Sequence, residues 1–486
     1  MIRQPVPDPV VPDPVVSDPG APPPAPEPVE PLTAPVTGTV VVPGSKSHTA
    51  RALVAAALAP GRSILRGTLV SEDSLAMRRA LGQLGWSIEQ LPAAPPVSAP
   101  DQVAEVRAED LQVRGGPEAL EDRAGGPGDE PIRLDVGLAG TVARFVAPLC
   151  CLVGRPVELD GTPRMRERPM ADLFEALVSL GAQVRYRGRP GHLPVVLSGP
   201  LRGREVQVAG HRSSQFLSGL LLAGVALPDG LRVHLTSPLV SRPYVDLTIA
   251  TLAAFGIQVL EEPGDQGADQ PVFVVPPGQR ARSTELRIEP DASAASYVFA
   301  AAALTESRLA VPGLTRACHQ GDVVAADLLA AMGATVHEDP GGLAVAGTGR
   351  LQGIEADLRE CSDLTQTLAV VAAFAETPSR LTGIGFIRAK ESDRIGATVR
   401  QLRALGGDAE ELPDGLLIRP RPLTGGVLDP EGDHRAAMAF GVAGLRVPGI
   451  SIQDPRVVDK TFPEFFATLR ALRRLPARWD VPAPSA

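Results

Sequence analysis

At 486 residues with 44 % apolar content, the chain is too long for one ordinary core and calls for two or three domains. A formal net charge of −9 excludes a broad nucleic-acid surface as the default, since phosphate backbones demand a basic face, yet it leaves local arginine clusters free to bind small anions. Aromatics are scarce at 3 %, so Ala, Val, Leu and Gly must build the core, and the four cysteines, Cys150, Cys151, Cys318 and Cys361, lack CxxC spacing and read as reduced packing residues of a cytoplasmic protein.

Residues 1–32 carry repeated Asp-Pro-Val and the run Pro22-Pro23-Pro24, with too few large apolar side chains to fold, and are expected to form a disordered tail. They lack the charged start and apolar stretch of a secretion signal, and no later apolar run is long enough to span a bilayer. A strand from Thr37 to Pro43 then leads into Pro43-Gly44-Ser45-Lys46-Ser47, followed by Arg51.

From there two kinds of helix alternate. One is apolar nearly all round, rich in small residues and opened by Ser, Thr or Asp, with copies starting near Ser47, Thr141, Ser213, Asp291, Ser362 and Asp433. A helix hydrophobic on every side is buried. The other is amphipathic, stops at glycine and runs into a strand. Its stops are Gly85, Gly181, Gly256, Gly333 and Gly406, about 75 residues apart except for a longer first gap. The extra length falls in Pro92 to Pro131, dense in Pro and Gly, which reads as a surface loop or hairpin insertion. A last amphipathic helix, Glu464 to Arg474, has no strand after it. Six copies of one buried and one surface helix with short β segments predict a strand-helix-strand-helix-strand-strand repeat rather than a doubly wound sheet.

Each buried helix directs free backbone N–H groups and a positive dipole end at what lies ahead of it, so several converging ends make an anion receptor. The polar residues cluster at those starts: Lys46-Ser47 with Arg51; Gly140-Thr141 with Arg144; Arg164, Arg166 and Arg168; Ser213-Ser214-Gln215; Ser241 to Tyr244; Asp363; Lys390-Glu391 with Arg394; Asp433-His434-Arg435; Lys460. Taken singly, the serines read equally as helix caps, the arginine run as a solvated turn, and Asp433-His434-Arg435 as a cap with a surface histidine. The lysines decide between these readings. The chain holds three, Lys46, Lys390 and Lys460, against 44 arginines, and all three lie in these segments. Guanidinium supplies charge but does not release a proton, whereas an ammonium can be tuned to titrate. No HxxxH pair, Cys/His cluster, GxGxxG, Walker loop or Gly-x-Ser-x-Gly elbow is present. The residues point to a metal-free enzyme handling small, multiply anionic molecules by acid–base chemistry.

Pro43-Gly44-Ser45-Lys46-Ser47 with Arg51, Leu138-Ala139-Gly140-Thr141 with Arg144, Pro163-Arg164-Met165-Arg166-Glu167-Arg168-Pro169, Ser213-Ser214-Gln215, Lys390-Glu391-Ser392-Asp393-Arg394, Asp433-His434-Arg435 and Lys460-Thr461-Phe462-Pro463 together closely resemble the enolpyruvyl transferase family. Within it they resemble the 5-enolpyruvylshikimate-3-phosphate synthases, from about Thr37 to Leu475. The resemblance implies an α/β, two-domain enolpyruvyl transferase fold of six βαβαββ repeats, three per domain, with buried helices. Residues 33–44 with 289–478 would form one domain and residues 45–288, carrying the 92–131 insertion, the other. It further implies transfer of the enolpyruvyl group of phosphoenolpyruvate to the 5-hydroxyl of 3-phosphoshikimate, with release of phosphate, through a tetrahedral intermediate. No cofactor or metal is expected, nor a nucleic-acid or membrane partner, and the family precedent is a monomer.

By that resemblance Asp363 takes the hydroxyl proton, while Lys46 and Glu391 both remain open for proton exchange at the methylene carbon. Phosphoenolpyruvate would contact Lys46, Gly140, Arg168, Gln215, Arg394, Arg435 and Lys460. 3-Phosphoshikimate would contact Lys46, Ser47, Arg51, Ser213, Ser214, Gln215, Ser241, Asp363 and Lys390, with Tyr244 and Asp291 as second choices. Two positions depart from the family's form: Leu138 stands where Asn is common, and Phe386 where Asn or His is common, each removing a polar contact. The sister activity on a UDP-amino sugar is disfavoured, because that family has Asn after the first lysine and a loop cysteine, where this chain has Ser47 and none.

Overall fold

The computed structural model describes residues 24–92, 102–103, 106–116, 130–264, 270–339 and 341–477. Among them six small sheets share one plan, in which a strand runs parallel to its neighbour and one or two antiparallel strands follow. Three are built from one stretch of chain each. Ile132–Asp135, Val157–Asp160, Val195–Ser198 and Gln183–Tyr186 make the first, and the sheets opened by Glu205–Val208 and Glu355–Asp357 follow the same order. Two sheets borrow their first strand from afar: Glu285–Arg287 pairs with Gly61–Leu69, and Thr37–Val40 pairs with Arg308–Val311. The α/β fold of six repeats is therefore present.

Buried apolar side chains gather into two clusters. One spans residues 50–288; the other joins residues 29–42 to 292–475. At the centre of the first lie the helices Lys46–Leu58, Gly140–Cys150 and Ser214–Gly224, and of the second Ala292–Leu304, Thr365–Ala372 and His434–Gly444. Small residues let these helices approach backbone to backbone. A Cβ added at Gly219 would fall 2.5 Å from the Arg144 carbonyl oxygen. Each surface helix stops where the sequence places glycine, and Gly85 and Gly181 take φ of 124° and 101°, a region that L side chains rarely adopt. No helix among the described residues is long and apolar enough to cross a membrane.

Two passages of the chain between the cores run side by side. Ser45 N donates to Glu289 O and Asp291 N to Pro43 O, both at 2.8 Å, and Lys46 N donates to the Asp291 carboxylate at 2.9 Å. This paired crossing places the start of helix Lys46–Leu58 against the cap of helix Ala292–Leu304.

Two expectations need correction. Residues 24–32 are ordered: Glu27–Pro28 pairs antiparallel with Ile450–Ile452, filling the place left open because no strand follows the last helix. Val29 is buried against Gly444, and ion pairs of Glu27 with Arg470 and Glu30 with Arg473 hold the segment, so proline content alone misjudged it. Residues 1–23 lie outside the described residues. The stretch from 92 to 131 is not simply an insertion, since Ala108–Gly115 is a full strand between Gly61–Leu69 and Ser87–Gln90, with Leu111 and Val113 buried. Gln102–Val103 pairs with Thr37–Val40 and buries Val103 in the other core, a third excursion across the molecule.

Val29→Asp puts an unpaired carboxylate under the Ile450 edge and is expected to cost about 2–4 kcal/mol of unfolding free energy. Urea unfolding checks this; an unchanged midpoint would show that the segment adds nothing to the second core.

Candidate active site

Segments remote in sequence meet where the two cores face each other. From one core come Lys46 and Gly140-Thr141 at the starts of buried helices, Gln215 in the first turn of Ser214–Gly224, and Arg168 at the end of Pro163–Glu167. The other core supplies Asp363 from the turn Ser362–Leu364, Lys390 and Glu391 after Gly385–Ala389, Arg394 opening Arg394–Ala404, and Arg435 in the first turn of His434–Gly444. Together with Asp73 they line one polar cleft. Lys460, ending the turn Pro455–Lys460, reaches across to it.

One buried carboxylate organises much of this wall. Asp433 Oδ1 accepts from Arg435 N at 2.9 Å, capping the helix, while Oδ2 accepts from Arg394 Nε at 2.8 Å and Ser392 Oγ at 3.1 Å. Arg394 spends its other nitrogens on Asp363 at 2.8 Å and Glu391 at 2.9 Å, and Arg435 reaches Asp363 at 2.7 Å. Arg168 lies 3.6 Å from Glu391. On the opposite side Asp73 takes Lys460 at 3.0 Å and Lys46 at 3.6 Å. Burial alone would raise the Glu391 carboxyl, but Arg168, Arg394 and Lys460 outweigh it and hold it well below the usual range. Asp363 behaves alike, burial being overcome by Arg435, Lys390, Arg394 and Lys46. Removal from water pushes the half-buried Lys390 ammonium down to about 8, against the pull of Asp363.

Most of the expected residues converge: Lys46, Gly140, Arg168, Gln215, Asp363, Lys390, Glu391, Arg394 and Arg435 share the cleft, with Lys460 bonded at its edge. Ser47 lines an adjoining cavity with Tyr244, Asp291 and Asp322. Arg51 lies behind the wall at 1 % exposure, donating to Thr248, Ser218, Ser47 O and Tyr244 O, so it braces two cavity residues rather than facing the cleft. Ser213 caps its helix by accepting from Gln215 N, and Ser214 and Ser241 are buried. His434 is fully buried, which overturns its reading as a surface residue, while the cap read at Asp433 is present. Sequence reasoning missed Asp73 and Asp322. Ser71-Glu72-Asp73 looks like an ordinary acidic helix start and Gln320-Gly321-Asp322 like a turn, so neither carried a distinguishing signal.

A family model described as EPSP synthase (3-phosphoshikimate 1-carboxyvinyltransferase) matches residues 32–469. The chain belongs to the EPSP synthase family. Among curated relatives, the 3-phosphoshikimate 1-carboxyvinyltransferase of Nostoc punctiforme is 41 % identical over 438 residues, 90 % of this chain and 96 % of the relative. That of Methanoculleus marisnigri is 39 % identical over 437 residues, 90 % of this chain and 97 % of its own. The solved EPSP synthase of Acinetobacter baumannii superposes with a TM-score of 0.71 at 27 % identity, covering 92 % of this chain and 98 % of that one.

Both departures from the family's form acquire a physical role. Leu138 offers no polar side chain, but its backbone carbonyl accepts from Lys460 at 3.0 Å and from Arg168 at 3.4 Å. The Phe386 ring faces Lys390, whose nitrogen stands 5.9 Å from the ring centre, a cation–π contact in place of a hydrogen bond. Arg164, from the mostly exposed arginine run, crosses the cleft to donate to Glu391 O and Lys390 O, each at 3.0 Å. It thereby latches the turn that carries two site residues. Arg164→Ala is expected to speed amide hydrogen exchange across residues 390–394 by about 10–100-fold, the equivalent of two lost hydrogen bonds; unchanged protection would contradict the latch.

Proposed function

We propose that this one cleft carries out the family reaction, transferring the enolpyruvyl group of phosphoenolpyruvate to the 5-hydroxyl of 3-phosphoshikimate with release of phosphate, a step of aromatic amino acid biosynthesis. The observation that carries the assignment of residues is the meeting of Lys46, Lys390 and Lys460, the chain's entire lysine complement, around buried Glu391 and largely buried Asp363. Phosphoenolpyruvate is held by Arg168, Arg394, Arg435 and Lys460, with Lys46, Gln215 and the Gly140 backbone, matching its carboxylate and phosphate with bidentate and point-charge donors. A Cβ at Gly140 would fall 2.4 Å from Arg144 Nη1 and 2.6 Å from Arg168 Nη1, so glycine is what lets these guanidiniums sit against the helix start. 3-Phosphoshikimate is held by Lys46, Ser47, Gln215, Asp363 and Lys390, with Ser213, Ser214 and Ser241 reached as the halves move and Arg51 bracing Ser47 from behind.

The two halves, residues 33–44 with 289–478 and residues 45–288, close over both substrates, with residues 24–32 joined to the first half. Asp363 takes the 5-hydroxyl proton as that oxygen attacks the enol carbon, and the methylene gains a proton, giving the tetrahedral adduct. In the second stage the methyl returns a proton and the C–O bond to phosphate breaks. Lys46 suits donation in the first stage; Glu391, held ionised by Arg168 and Arg394, suits acceptance in the second, and its proton returns to Lys46 before the next turnover. Both walls of the cleft come from one chain, which supports a monomer. The free cysteines fit a cytoplasmic setting.

Mixing the chain with phosphoenolpyruvate and 3-phosphoshikimate is expected to release phosphate, and Lys46→Arg to lower kcat about 10²–10⁴-fold with KM changed only a few-fold. Equal losses in both constants would reduce Lys46 to a binding group. Turnover of UDP-N-acetylglucosamine in place of 3-phosphoshikimate would contradict the assignment. Lys390 gives a second check. Its ammonium is present below pH 8 and lost above, so kcat/KM for 3-phosphoshikimate is expected to fall as pH rises through about 8, and Lys390→Arg to carry the plateau to higher pH. A profile that Lys390→Arg leaves unshifted would rule out that lysine as a partner of 3-phosphoshikimate.

A further inference from the structure

Behind Asp363, on the side facing the adjoining cavity, stands a second carboxylate that the reaction above does not use. Asp322 lies on the turn Gly321–Val324 at 3 % exposure. The Tyr244 hydroxyl is 3.1 Å from Asp363 Oδ2 and 3.2 Å from Asp322 Oδ2. A phenol has one proton, so it can donate to only one carboxylate at a time while its oxygen remains able to accept from the other. Asp322 Oδ2 also accepts from Ser293 Oγ, whereas Oδ1 has no hydrogen-bond partner among the described residues. A buried, ionised oxygen without a donor is costly, and a protonated one far less so.

The charges around the pair are unequal. Arg435 and Arg394 bond directly to Asp363, and Lys390 and Lys46 add to their effect. Asp322 has no cation bonded to it among the described residues; it faces Asp363, Asp291, Tyr244 and the Cys318 and Cys361 thiols, with Arg435 acting only at a distance. Burial and then the Asp363 charge push the Asp322 carboxyl up to about 6, while Asp363 is held well below its usual range. The group placed to meet the substrate hydroxyl is thus a poor proton holder, and a better one sits one phenol away.

We propose that Asp322 stores the proton that Asp363 takes from the substrate, reached through the Tyr244 hydroxyl. The inference rests on reading Asp363 as the base toward the 5-hydroxyl. In the hop, the Asp363 carboxylic acid gives its proton to the Tyr244 oxygen as the phenol proton crosses to Asp322 Oδ2. Asp363 ends as a carboxylate, Tyr244 as a neutral phenol and Asp322 as a carboxylic acid. Burial and both carboxylates keep the phenol well above its usual pKa, so the two transfers are concerted and no phenolate accumulates. The reaction's protons balance, because phosphate departs as its hydrogen phosphate dianion and the reverse hop returns the stored proton to Asp363 for that step. Asp322 accepts only when ionised, so turnover through the relay falls as pH drops through about 6.

Phosphate release at saturating phosphoenolpyruvate and 3-phosphoshikimate, measured from pH 5 to 9 for the full chain and for Asp322→Asn, Tyr244→Phe and the double variant, tests this. The native chain is expected to show an acid limb in kcat near pH 6. Each single variant should lower the plateau about 10–100-fold, erase that limb and leave both KM values within about threefold. The double variant should be no worse than the singles, since they cut one relay. Thermal unfolding establishes that each variant is folded, and Tyr244→Phe, which keeps the ring, decides alone if Asp322→Asn does not fold. A folded variant with native kcat and an intact limb, or with raised KM and unchanged kcat, overturns the relay alone. A native chain that releases no phosphate from this substrate pair overturns the functional reading and the relay with it.

Discussion

Six cationic side chains, Lys46, Arg168, Lys390, Arg394, Arg435 and Lys460, crowd one cleft, and they stay folded together only because carboxylates are interleaved among them. At an effective dielectric near 20, two like charges 4 Å apart repel by about 4 kcal/mol, so a handful of such contacts would exceed the stability of a domain. Asp73, Asp363, Glu391 and Asp433 remove that repulsion pair by pair, and Asp433, wholly inside the protein, also caps the helix that presents Arg435. The same pairing sets the chemistry. Asp363 and Glu391, enclosed by cations, are held ionised, and an arriving dianion competes with them for the same donors.

The fold exists to bring those charges from two directions. Buried helices rich in Ala and Gly approach closely, which concentrates several N-termini within one narrow space, and the paired crossing at residues 43–46 and 288–291 sets the two groups of helices tip to tip. Neither core alone completes the cleft, since Lys46, Gly140 and Arg168 stand on one side and Asp363, Lys390 and Arg394 on the other. Contacts such as Arg164 to the 390–391 carbonyls and Lys460 to Leu138 O tie the two walls.

What could be read from the chain was whatever has a local signature. The six buried helices announced themselves by apolar residues on all sides, and the surface helices by their glycine stops. The site lysines stood out because the composition otherwise avoids lysine. Features built from distant partners were hidden. The alternation of Leu111 and Val113 was masked by the Pro and Gly around it, and the strand Glu27–Pro28 is a strand only because Ile450–Ile452 offers an open edge. Asp73 becomes a site residue by meeting Lys46 and Lys460, and Arg51 becomes a brace by facing Thr248 and Ser218, neither of which local sequence encodes.

The central claim is that anions are shared between the two halves by this interleaved charge. A crystal structure of the chain with phosphoenolpyruvate and 3-phosphoshikimate, or with a non-reacting analogue of either, tests it most directly. The account predicts each ligand in contact with both walls, phosphoenolpyruvate between Arg168 on one side and Arg394, Arg435 and Lys460 on the other, and 3-phosphoshikimate between Ser47 and Lys390. Ligands bound to one half alone, or lodged outside the cleft with these ion pairs intact, would contradict it.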